Sequence, residues 1–351
     1  MQTNSSRRPT IGVLTADGAP CIGGIGRHVE SLCAGMRAAG FTVHVFDLRT
    51  LRSHRFGKNI LASLCMGPAV RRWIKENNID VLHVHGGPGG VLPLSRFGLP
   101  LLITANHTYA QQVRVPGQVW KWPFVVWERR GYRLADRIVC ISSGTRDVLL
   151  KQYGLAAENV SVAECGFDLA PWIAADRETA DRDPLRCVFA GRPHARKGWD
   201  ILLRAWVRIR AEVPGASLEI AGFTGVPVDG VTYRGRLSDA ELQSLVGSSR
   251  LLLMPSRVEG FGLAAAEAIA AGTPVVGCDV AGLRSVVESG RTGVLTAADA
   301  PHFAAVTAGL LRDAREWTAL HDGCRGARER FAAGRETAAY EAAYAAVYSA
   351  A

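Results

Sequence analysis

Short apolar runs alternate with amphipathic stretches along almost the whole chain, and this alternation constrains its fold most strongly. It is typical of α/β proteins, in which helices cover both faces of parallel sheets. The runs predict strands in both halves of the chain. These strands are Ile11–Thr15, Thr42–Phe46, Val81–His85, Leu101–Thr104, Arg137–Ile141, Val160–Ala163, Arg186–Ala190, Ser217–Ala221, Val231–Arg234, Arg250–Met254 and Thr273–Gly277.

The alternation is interrupted over residues 169–184. This segment is polar, contains Pro171 and Pro184, and has neither the helical nor the strand period, so it predicts a linker between two domains. A chain of 351 residues is long enough for two separate cores. We therefore expect a first domain over residues 1–168 and a second over residues 185–334.

Composition narrows the class of protein. Hydrophobic residues make up 48% and charged residues 21% of the chain, as in ordinary globular proteins. No apolar run approaches the roughly 20 residues that span a bilayer, and the N-terminus lacks the apolar region of a signal peptide, so we expect a cytoplasmic protein. The eight cysteines form no C-x-x-C pair, which predicts buried reduced thiols.

The formal net charge of +9 suits an anionic ligand or an acidic membrane surface. Nucleic acid is not expected as a partner, because the sequence has no recognisable binding module and no dense Lys/Arg tract. Residues 120–130 mix aromatic side chains with cations, as interfacial membrane segments do. Pro123 interrupts a long amphipathic helix there, so packing into the first domain, or a pocket for a soluble acceptor, is the alternative.

Residues 256–274 carry two acids, one in a glycine-flanked loop and one in the helix after it. Gly260 and Gly262 allow the backbone to approach a ligand, and the helix start directs N–H groups at the same space, which favours a phosphate. Glu259 lies in the loop, and Glu267 lies in a strongly apolar helix, where a charge is rarely left unpaired. Two hydroxyl acceptors beside a phosphate cradle suit a nucleotide sugar. Two solvated surface acids are the plainer alternative.

The spacing Glu259-x7-Glu267, followed by Ala-Gly-Thr-Pro-Val-Val, resembles the signature of the retaining glycosyltransferases of family 4. The resemblance runs from about Gly23 to the C-terminus and is strongest over residues 186–288. It implies the GT-B fold, in which two Rossmann-like, doubly wound domains face each other across a cleft.

The alanine-rich C-terminal segment carries Tyr340, Tyr344 and Tyr348 on one helical face. In GT-B proteins a terminal helix crosses back onto the first domain, so the resemblance assigns residues 335–351 to that domain. A plain helix that caps the second domain is the alternative.

A second motif, Gly-Arg192-x4-Lys197-Gly, follows the first predicted strand of the second domain. Loops at the carboxyl ends of parallel strands line the ligand crevice, and a guanidinium and an ammonium there can neutralise a departing diphosphate. The motif resembles the family pattern, whose arginine and lysine have this role. Arg196 competes for the role, and a solvated basic turn is the alternative.

A glycine-rich loop near the N-terminus opens a helix at Gly24, where the backbone can reach the phosphates or the acceptor. A dinucleotide fingerprint is the rival interpretation, because Asp47 ends the second strand near the spacing that a ribose-binding acid requires. It would make the chain a nicotinamide-dependent oxidoreductase. Residues 16–22, which separate the strand from the glycines, favour the transferase.

Histidines follow or end two predicted strands of the first domain. His107 comes soon after Leu101–Thr104, and the resemblance implies that it contacts the donor sugar. His83 and His85 alternate on Val81–His85, and His85 is kept as a further candidate at the same rim.

The remaining donor contacts rest on the resemblance, which implies that Arg236 and Leu237 read the base, Glu259 binds the sugar and Glu267 binds the ribose. The implied catalytic residues are Glu259, Arg192, Lys197 and His107. The implied donor site comprises Gly24, Arg192, Lys197, Arg236, Leu237, Glu259, Gly260, Phe261, Gly262, Leu263 and Glu267.

The implied reaction is retaining transfer of a hexosyl or N-acetylhexosaminyl group from a nucleotide diphosphate sugar to a hydroxyl of a carbohydrate, lipid-linked or small-molecule acceptor. It belongs to the synthesis of bacterial envelope glycans, glycolipids or glycosylated metabolites, and UDP-sugars are favoured over GDP-mannose. No cofactor and no metal are expected, because Arg192 and Lys197 supply the positive charge, and Asp181 and Asp183 are interpreted as solvated linker residues. A non-catalytic nucleotide-sugar-binding protein is a further alternative.

Overall fold

The computed structural model describes residues 7–18, 23–50, 66–91 and 95–349. Contacts divide the chain into two compact units. Residues 1–167 with 333–351 form the first unit, and residues 168–332 form the second.

The first unit is built on a parallel sheet covered by helices. Its strands are β1 Ile11–Thr15, β2 Val43–Asp47, β3 Val81–Gly86, β4 Leu101–Ala105, β5 Arg137–Cys140 and β6 Val160–Val162. Its helices before the C-terminal one are α1 Gly24–Ala38, α2 Gly67–Glu76, α3 Tyr109–Gln112, α4 Trp122–Tyr132 and α5 Ser143–Tyr153. The strand order is β2-β1-β3-β4-β5-β6, so the order reverses between β1 and β3. Ligands of open α/β sheets bind beside such a switch point, at the carboxyl ends of the strands.

The C-terminal helix, Ala333–Ser349, belongs to the first unit, as expected for a helix that crosses back to the first domain. Tyr340 and Tyr344 are 0% and 1% exposed and pack in one hydrophobic cluster with α1, whereas Tyr348 is 39% exposed. The Tyr344 hydroxyl lies 2.7 Å from Nδ1 of His83, and the Tyr340 hydroxyl lies 2.7 Å from Oγ1 of Thr104. These bonds fix the helix against β3 and β4.

The second unit repeats the plan with a different strand order. Its strands are β7 Asp183–Ala190, β8 Ser217–Ala221, β9 Val231–Gly235, β10 Ser249–Met254, β11 Val275–Cys278 and β12 Gly293–Thr296. Its helices are α6 Ala170–Ala175, α7 Trp199–Glu212, α8 Asp239–Gly247, α9 Leu263–Ala270, α10 Ala281–Arg284, α11 Ala300–Arg312 and α12 Ala314–Ala327. The parallel order β12-β11-β10-β7-β8-β9 places the switch point between β7 and β10. Strand β12, which has four residues and lies at the sheet edge, is not predicted by the sequence pattern.

Residues 169–184, predicted to be an irregular linker, contain helix α6 and the start of β7. Trp172 and Arg182 are 5% and 4% exposed. The Arg182 guanidinium donates to Asp176 at 2.8 Å, and Arg325 donates to the same carboxylate at 2.7 Å. The charged residues of this segment predict that it is exposed to solvent. In the structure, positive and negative side chains pair with each other inside the second unit.

Composition predicts buried, reduced cysteines and no apolar run that spans a bilayer. Cys21 and Cys65 lie outside the described residues. No helix in the described part of the chain is both long and apolar enough to cross a membrane. The remaining cysteines are free and buried, as predicted: Cys33, Cys140, Cys165, Cys187, Cys278 and Cys324.

Candidate functional site

The loop after β7 is held against the end of β10, beside the switch point of the second sheet. It contains a short 3-10 turn, and the His194 side chain caps that turn by accepting the Arg196 N–H at 3.0 Å. The turn ends at Gly198, whose φ is +66°. A Cβ at Gly198 would lie 1.8 Å from the carbonyl oxygen of Pro255, so a glycine is needed for this approach.

The approach brings the basic loop onto the first predicted acid. Nζ of Lys197 donates to Oε1 of Glu259 at 2.6 Å, and the Ser256 hydroxyl donates to the same oxygen at 2.7 Å. Nη1 of Arg196 lies 3.4 Å from Oε2 of Glu259 and donates to the carbonyl of Val258 at 3.0 Å. The sequence-predicted Lys197 and Glu259 therefore meet directly, and Arg196 joins them.

This pairing sets the charge state of the site. Burial alone would raise the pKa of Glu259, but Lys197 and Arg196 hold that pKa at about 2, so the group is a carboxylate at neutral pH. Burial lowers the pKa of Lys197, and the neighbouring Arg196 and Arg192 act in the same direction, against the attraction of Glu259. The site is thus a compact cluster with more positive than negative charge.

An ion pair that was not predicted from the sequence connects the two loops. The Arg257 guanidinium donates to both carboxylate oxygens of Asp200, at 2.6 and 2.8 Å, and to the carbonyl of Ala195 at 2.9 Å. The Arg257 N–H also donates to the Arg196 carbonyl at 2.8 Å. The hydrogen bonds from Arg257 have the largest effect on the Asp200 carboxyl group and lower its pKa to about 2. One feature of the sequence could have indicated this ion pair. Asp200 is an acid in the first turn of α7, soon after the basic motif.

Helix α9 begins at the end of the acidic loop. Gly262 has φ of +103° and accepts the N–H groups of Ala265 and Ala266 at 2.8 and 3.1 Å, which starts the helix. The N–H groups of a first helical turn have no partner within the helix and suit an anion. Glu267 is 8% exposed among the buried alanines of this helix.

The other predicted donor residues of the second unit lie around this cluster. Phe261 is 3% exposed and packs edge-on against Phe331, with ring centroids 6.3 Å apart. Only the backbone of Phe261 is therefore available to contact a nucleotide sugar. Arg192 lies just after β7 and is exposed. Arg236 and Leu237 follow β9, with Arg236 exposed and Leu237 half-buried. Gly260 and Leu263 flank Phe261 and Gly262 at the start of α9.

In the first unit, Gly24 is the first residue of α1. The Asp17 carboxylate accepts the N–H of Gly23 at 2.9 Å and that of Gly26 at 3.3 Å, so an acid already lies at this helix start. A Cβ at Gly24 would meet no atom within 4 Å. The described residues therefore leave room for a side chain at position 24, so close packing does not explain why this residue is glycine.

Three histidines singled out in the first unit lie within β3 or just after β4, namely His83, His85 and His107. His107 is 9% exposed and its backbone carbonyl would lie 2.3 Å from a Cβ at Gly87, whose φ is +98°. His83 and His85 are both 0% exposed. His85 was expected at the rim, but its ring lies within the core, 4.6 Å from that of His83 between centroids.

One buried cluster in the described residues has the composition of a metal site, namely His28, Cys165 and Glu336. Nε2 of His28 lies 2.5 Å from Oε1 of Glu336, and the other carboxylate oxygen accepts the Gly166 N–H at 3.0 Å. Burial would lower the pKa of His28, but Cys165 and Glu336 raise it well above its usual value. The donor atoms already bond one another, so we interpret the cluster as a hydrogen-bonded anchor of the C-terminal helix.

Two family models match the chain. The model described as Glycosyltransferase Family 4 matches residues 22–171. The model described as Glycosyl transferases group 1 matches residues 184–313. The first match lies almost wholly in the first unit, and the second lies within the second unit.

Relatives among known proteins carry names of the same kind. D-inositol 3-phosphate glycosyltransferase 1 of Catenulispora acidiphila is 31% identical, and the alignment covers 70% of this chain and 66% of that protein. MMP alpha-(1->4)-mannosyltransferase of Mycolicibacterium hassiacum is 30% identical, with coverage of 78% of this chain and 73% of that protein.

Solved structures share the fold at lower sequence identity. Sucrose-phosphate synthase from Thermosynechococcus elongatus matches with a TM-score of 0.80 at 20% identity, covering 98% of this chain and all (100%) of that chain. Anabaena HepE in complex with UDP-glucose matches with a TM-score of 0.71 at 16% identity, covering 96% of this chain and 100% of that chain.

Proposed function

Because this chain belongs to the family 4 glycosyltransferases, which have the GT-B fold, we propose that it transfers a hexosyl or N-acetylhexosaminyl group from a nucleotide diphosphate sugar to an acceptor hydroxyl, with retention of configuration. The observation that carries the proposal is the cluster of Lys197, Arg196 and Glu259 beside the switch point of the second sheet. This is where open α/β sheets bind their ligands.

In this proposal the diphosphate binds to Lys197, Arg192 and the start of α9. Lys197 and Arg192 supply positive charge that a departing diphosphate needs, and the N–H groups at Gly262 and Leu263 supply further donors. Arg196 already donates to the carbonyl of Val258 and faces Glu259. That engagement supports Arg192, which is exposed, as the second diphosphate ligand.

Glu259 has the role of a hydroxyl acceptor for the donor sugar. Its pKa of about 2 keeps it ionised, so it is suited to accept hydrogen bonds and unsuited to act as a general acid. The departing phosphate then takes the proton of the acceptor hydroxyl, and no side-chain base is required. Glu267, nearly buried on α9, is assigned to the ribose hydroxyls.

The nucleotide is proposed to be uridine diphosphate, with Arg236 and Leu237 at the base. A structural neighbour, Anabaena HepE, is described in complex with UDP-glucose, which supports this choice. GDP-mannose stays as the alternative donor, because one relative is named a mannosyltransferase. Gly24 and His107 are assigned to ligand contacts made by the first unit.

One observation weighs against the oxidoreductase alternative. Asp47, which would have to bind a ribose, has its carboxylate 2.7 Å from the guanidinium of Arg49 and 3.3 Å from the N–H of Gly18. A ribose-binding acid needs free acceptor atoms. A non-catalytic nucleotide-sugar-binding protein can be distinguished from a transferase only by measuring turnover of the donor.

The proposal is tested by incubating the full chain with UDP-glucose, UDP-N-acetylglucosamine and GDP-mannose, each with and without EDTA. We expect release of the nucleoside diphosphate from one donor, unaffected by EDTA, and increased by a suitable sugar or lipid acceptor. Binding of a donor without release would support the non-catalytic alternative. No binding of any donor would refute the proposal.

A further inference from the structure

A concentrated apolar surface lies outside the proposed donor site. Half of the exposed large hydrophobic side chains in the described part of the chain fall within residues 119–127. They are Val119, Trp120, Trp122, Val126 and Trp127, with exposures of 71%, 64%, 60%, 59% and 45%. A cluster of exposed large apolar side chains in one short segment is typical of a contact with a partner or a membrane.

The helix that carries part of this patch is packed against the rest of the first unit. This helix, α4, buries Glu128 and Tyr132 on the opposite face. Glu128 accepts the N–H of Tyr109 at 2.8 Å and also bonds the Tyr153 hydroxyl. The ring of Phe124 packs on Tyr109, with centroids 5.3 Å apart.

Two of the exposed indoles rest on that same fixed ring. Trp120 and Trp127 each pack edge-on against Phe124, with centroids 6.1 Å apart. Their exposure therefore does not come from a loose loop. The indoles are presented to solvent by a packed support, which lowers the entropy lost on docking.

Cations flank the indoles in sequence, and one of them lies beside an indole ring. Lys121 Nζ lies 5.4 Å from the Trp120 ring and donates to Gln112 at 2.6 Å. Between residues 114 and 133, all of which the structure describes, the only acid is the buried Glu128. The exposed arginines of this stretch are Arg114, Arg129, Arg130 and Arg133.

We propose that these apolar and basic side chains, here called the aromatic–basic face, dock the protein on the surface of a membrane rich in anionic lipid. Indoles favour the boundary between head groups and acyl chains, aliphatic side chains enter the acyl region, and arginines pair with lipid phosphates. A second copy of the chain fits less well, because a two-fold contact would oppose the same cations. The inference is independent of the donor site, since it concerns adsorption alone.

The test is co-sedimentation of the full chain with vesicles of phosphatidylcholine, with and without one quarter phosphatidylglycerol. We expect binding to the anionic vesicles that is roughly tenfold stronger than to the neutral ones and that weakens with salt. The triple variant Trp120→Ala/Trp122→Ala/Trp127→Ala should bind the anionic vesicles roughly tenfold more weakly. Its melting temperature and its affinity for UDP-glucose should match those of the unaltered protein.

A pair of charge variants separates the face from the overall charge of the molecule. Arg130→Glu/Arg133→Glu should abolish the preference for anionic vesicles, whereas Arg208→Glu/Arg315→Glu, which changes exposed arginines of the second unit by the same charge, should retain it. Equal losses in both pairs would overturn the proposal, as would unchanged binding by the tryptophan variant. Self-association that the tryptophan variant abolishes, without vesicle binding, would assign the face to a second copy instead.

Discussion

Nζ of Lys197 lies 2.6 Å from Oε1 of Glu259, although 62 residues separate them in sequence. The two side chains come from loops on either side of the switch point between β7 and β10. The ammonium is therefore balanced by a buried carboxylate. We expect a diphosphate that binds there to share Lys197 with Glu259.

The first prediction concerns catalysis. Lys197→Ala should reduce kcat/KM for the donor roughly 10²–10³-fold, because it removes charge that stabilises the departing diphosphate. Lys151→Ala provides the matched control, since Lys151 is an exposed lysine that pairs with Asp147 at 3.4 Å in the first unit. Initial rates of nucleotide release measure both variants. Equal rates in Lys197→Ala and the unaltered protein would remove Lys197 from the mechanism.

The second prediction concerns acid stability. The pKa of Glu259 is about 2 in the folded protein, below the ordinary value of 4.5, so its stabilising effect is present above pH 4.5 and is lost as the pH falls towards 2. Glu259→Gln should lower the free energy of unfolding by about 1–3 kcal/mol at pH 7. That difference should shrink steadily between pH 4.5 and pH 2 in urea titrations. A difference that does not depend on pH would show that Glu259 is not held ionised by Lys197 and Arg196.

The third prediction isolates the close approach at Gly198. Gly198→Ala and Gly290→Ala both place alanine at positive φ, +66° and +83°, which costs about 1–2 kcal/mol in each case. The added Cβ meets the Pro255 carbonyl oxygen at 1.8 Å in the first variant and nothing within 4 Å in the second. Gly198→Ala should therefore lose about 2 kcal/mol more stability than Gly290→Ala and weaken donor binding. Equal thermal and chemical stability of the two variants would contradict the loop geometry.

The fourth prediction concerns Glu128, beneath the aromatic–basic face. Burial raises its pKa to about 8, despite hydrogen bonds from Tyr153 and Tyr109 that act in the opposite direction. The folded protein thus holds a proton that the unfolded chain releases above about pH 4.5, so stability should fall as pH rises from 4.5 to 8. Glu128→Gln imitates the neutral acid and should flatten this part of the profile. Denaturation at pH 5, 6, 7 and 8 tests it, and parallel profiles for both proteins would refute it.

Much of the fold could be predicted because it depends on local pattern. Buried strands such as Ile11–Thr15 and Ser217–Ala221 are short apolar runs, and the structure has both with the predicted bounds. Edge strand β12 has partly exposed residues and only four positions, so its pattern is weak. The charged segment around Arg182 was misassigned because its partners Asp176 and Thr273 are not visible as a cluster in sequence.

Two members of the candidate cluster could be named from the sequence, but the bonds between them could not be predicted. Motif spacing identified Lys197 and Glu259, yet their contact depends on the sheet order that places β7 next to β10. The ion pair of Arg257 with Asp200 escaped notice for the same reason. His85 was expected at the rim because of strand alternation. Alternation predicts which face of the sheet a side chain lies on, but it does not predict which other residues cover that face.

Calorimetric titration of the full chain with UDP at neutral pH asks whether the diphosphate binds beside Lys197. We expect the unaltered protein and Lys151→Ala to bind UDP, and Lys197→Ala to bind it at least roughly tenfold more weakly, because the diphosphate depends on that ammonium. Uridine without phosphates should bind far more weakly than UDP. Identical UDP affinity in the unaltered protein and in Lys197→Ala would show that the diphosphate is not bound beside the Lys197–Glu259 pair.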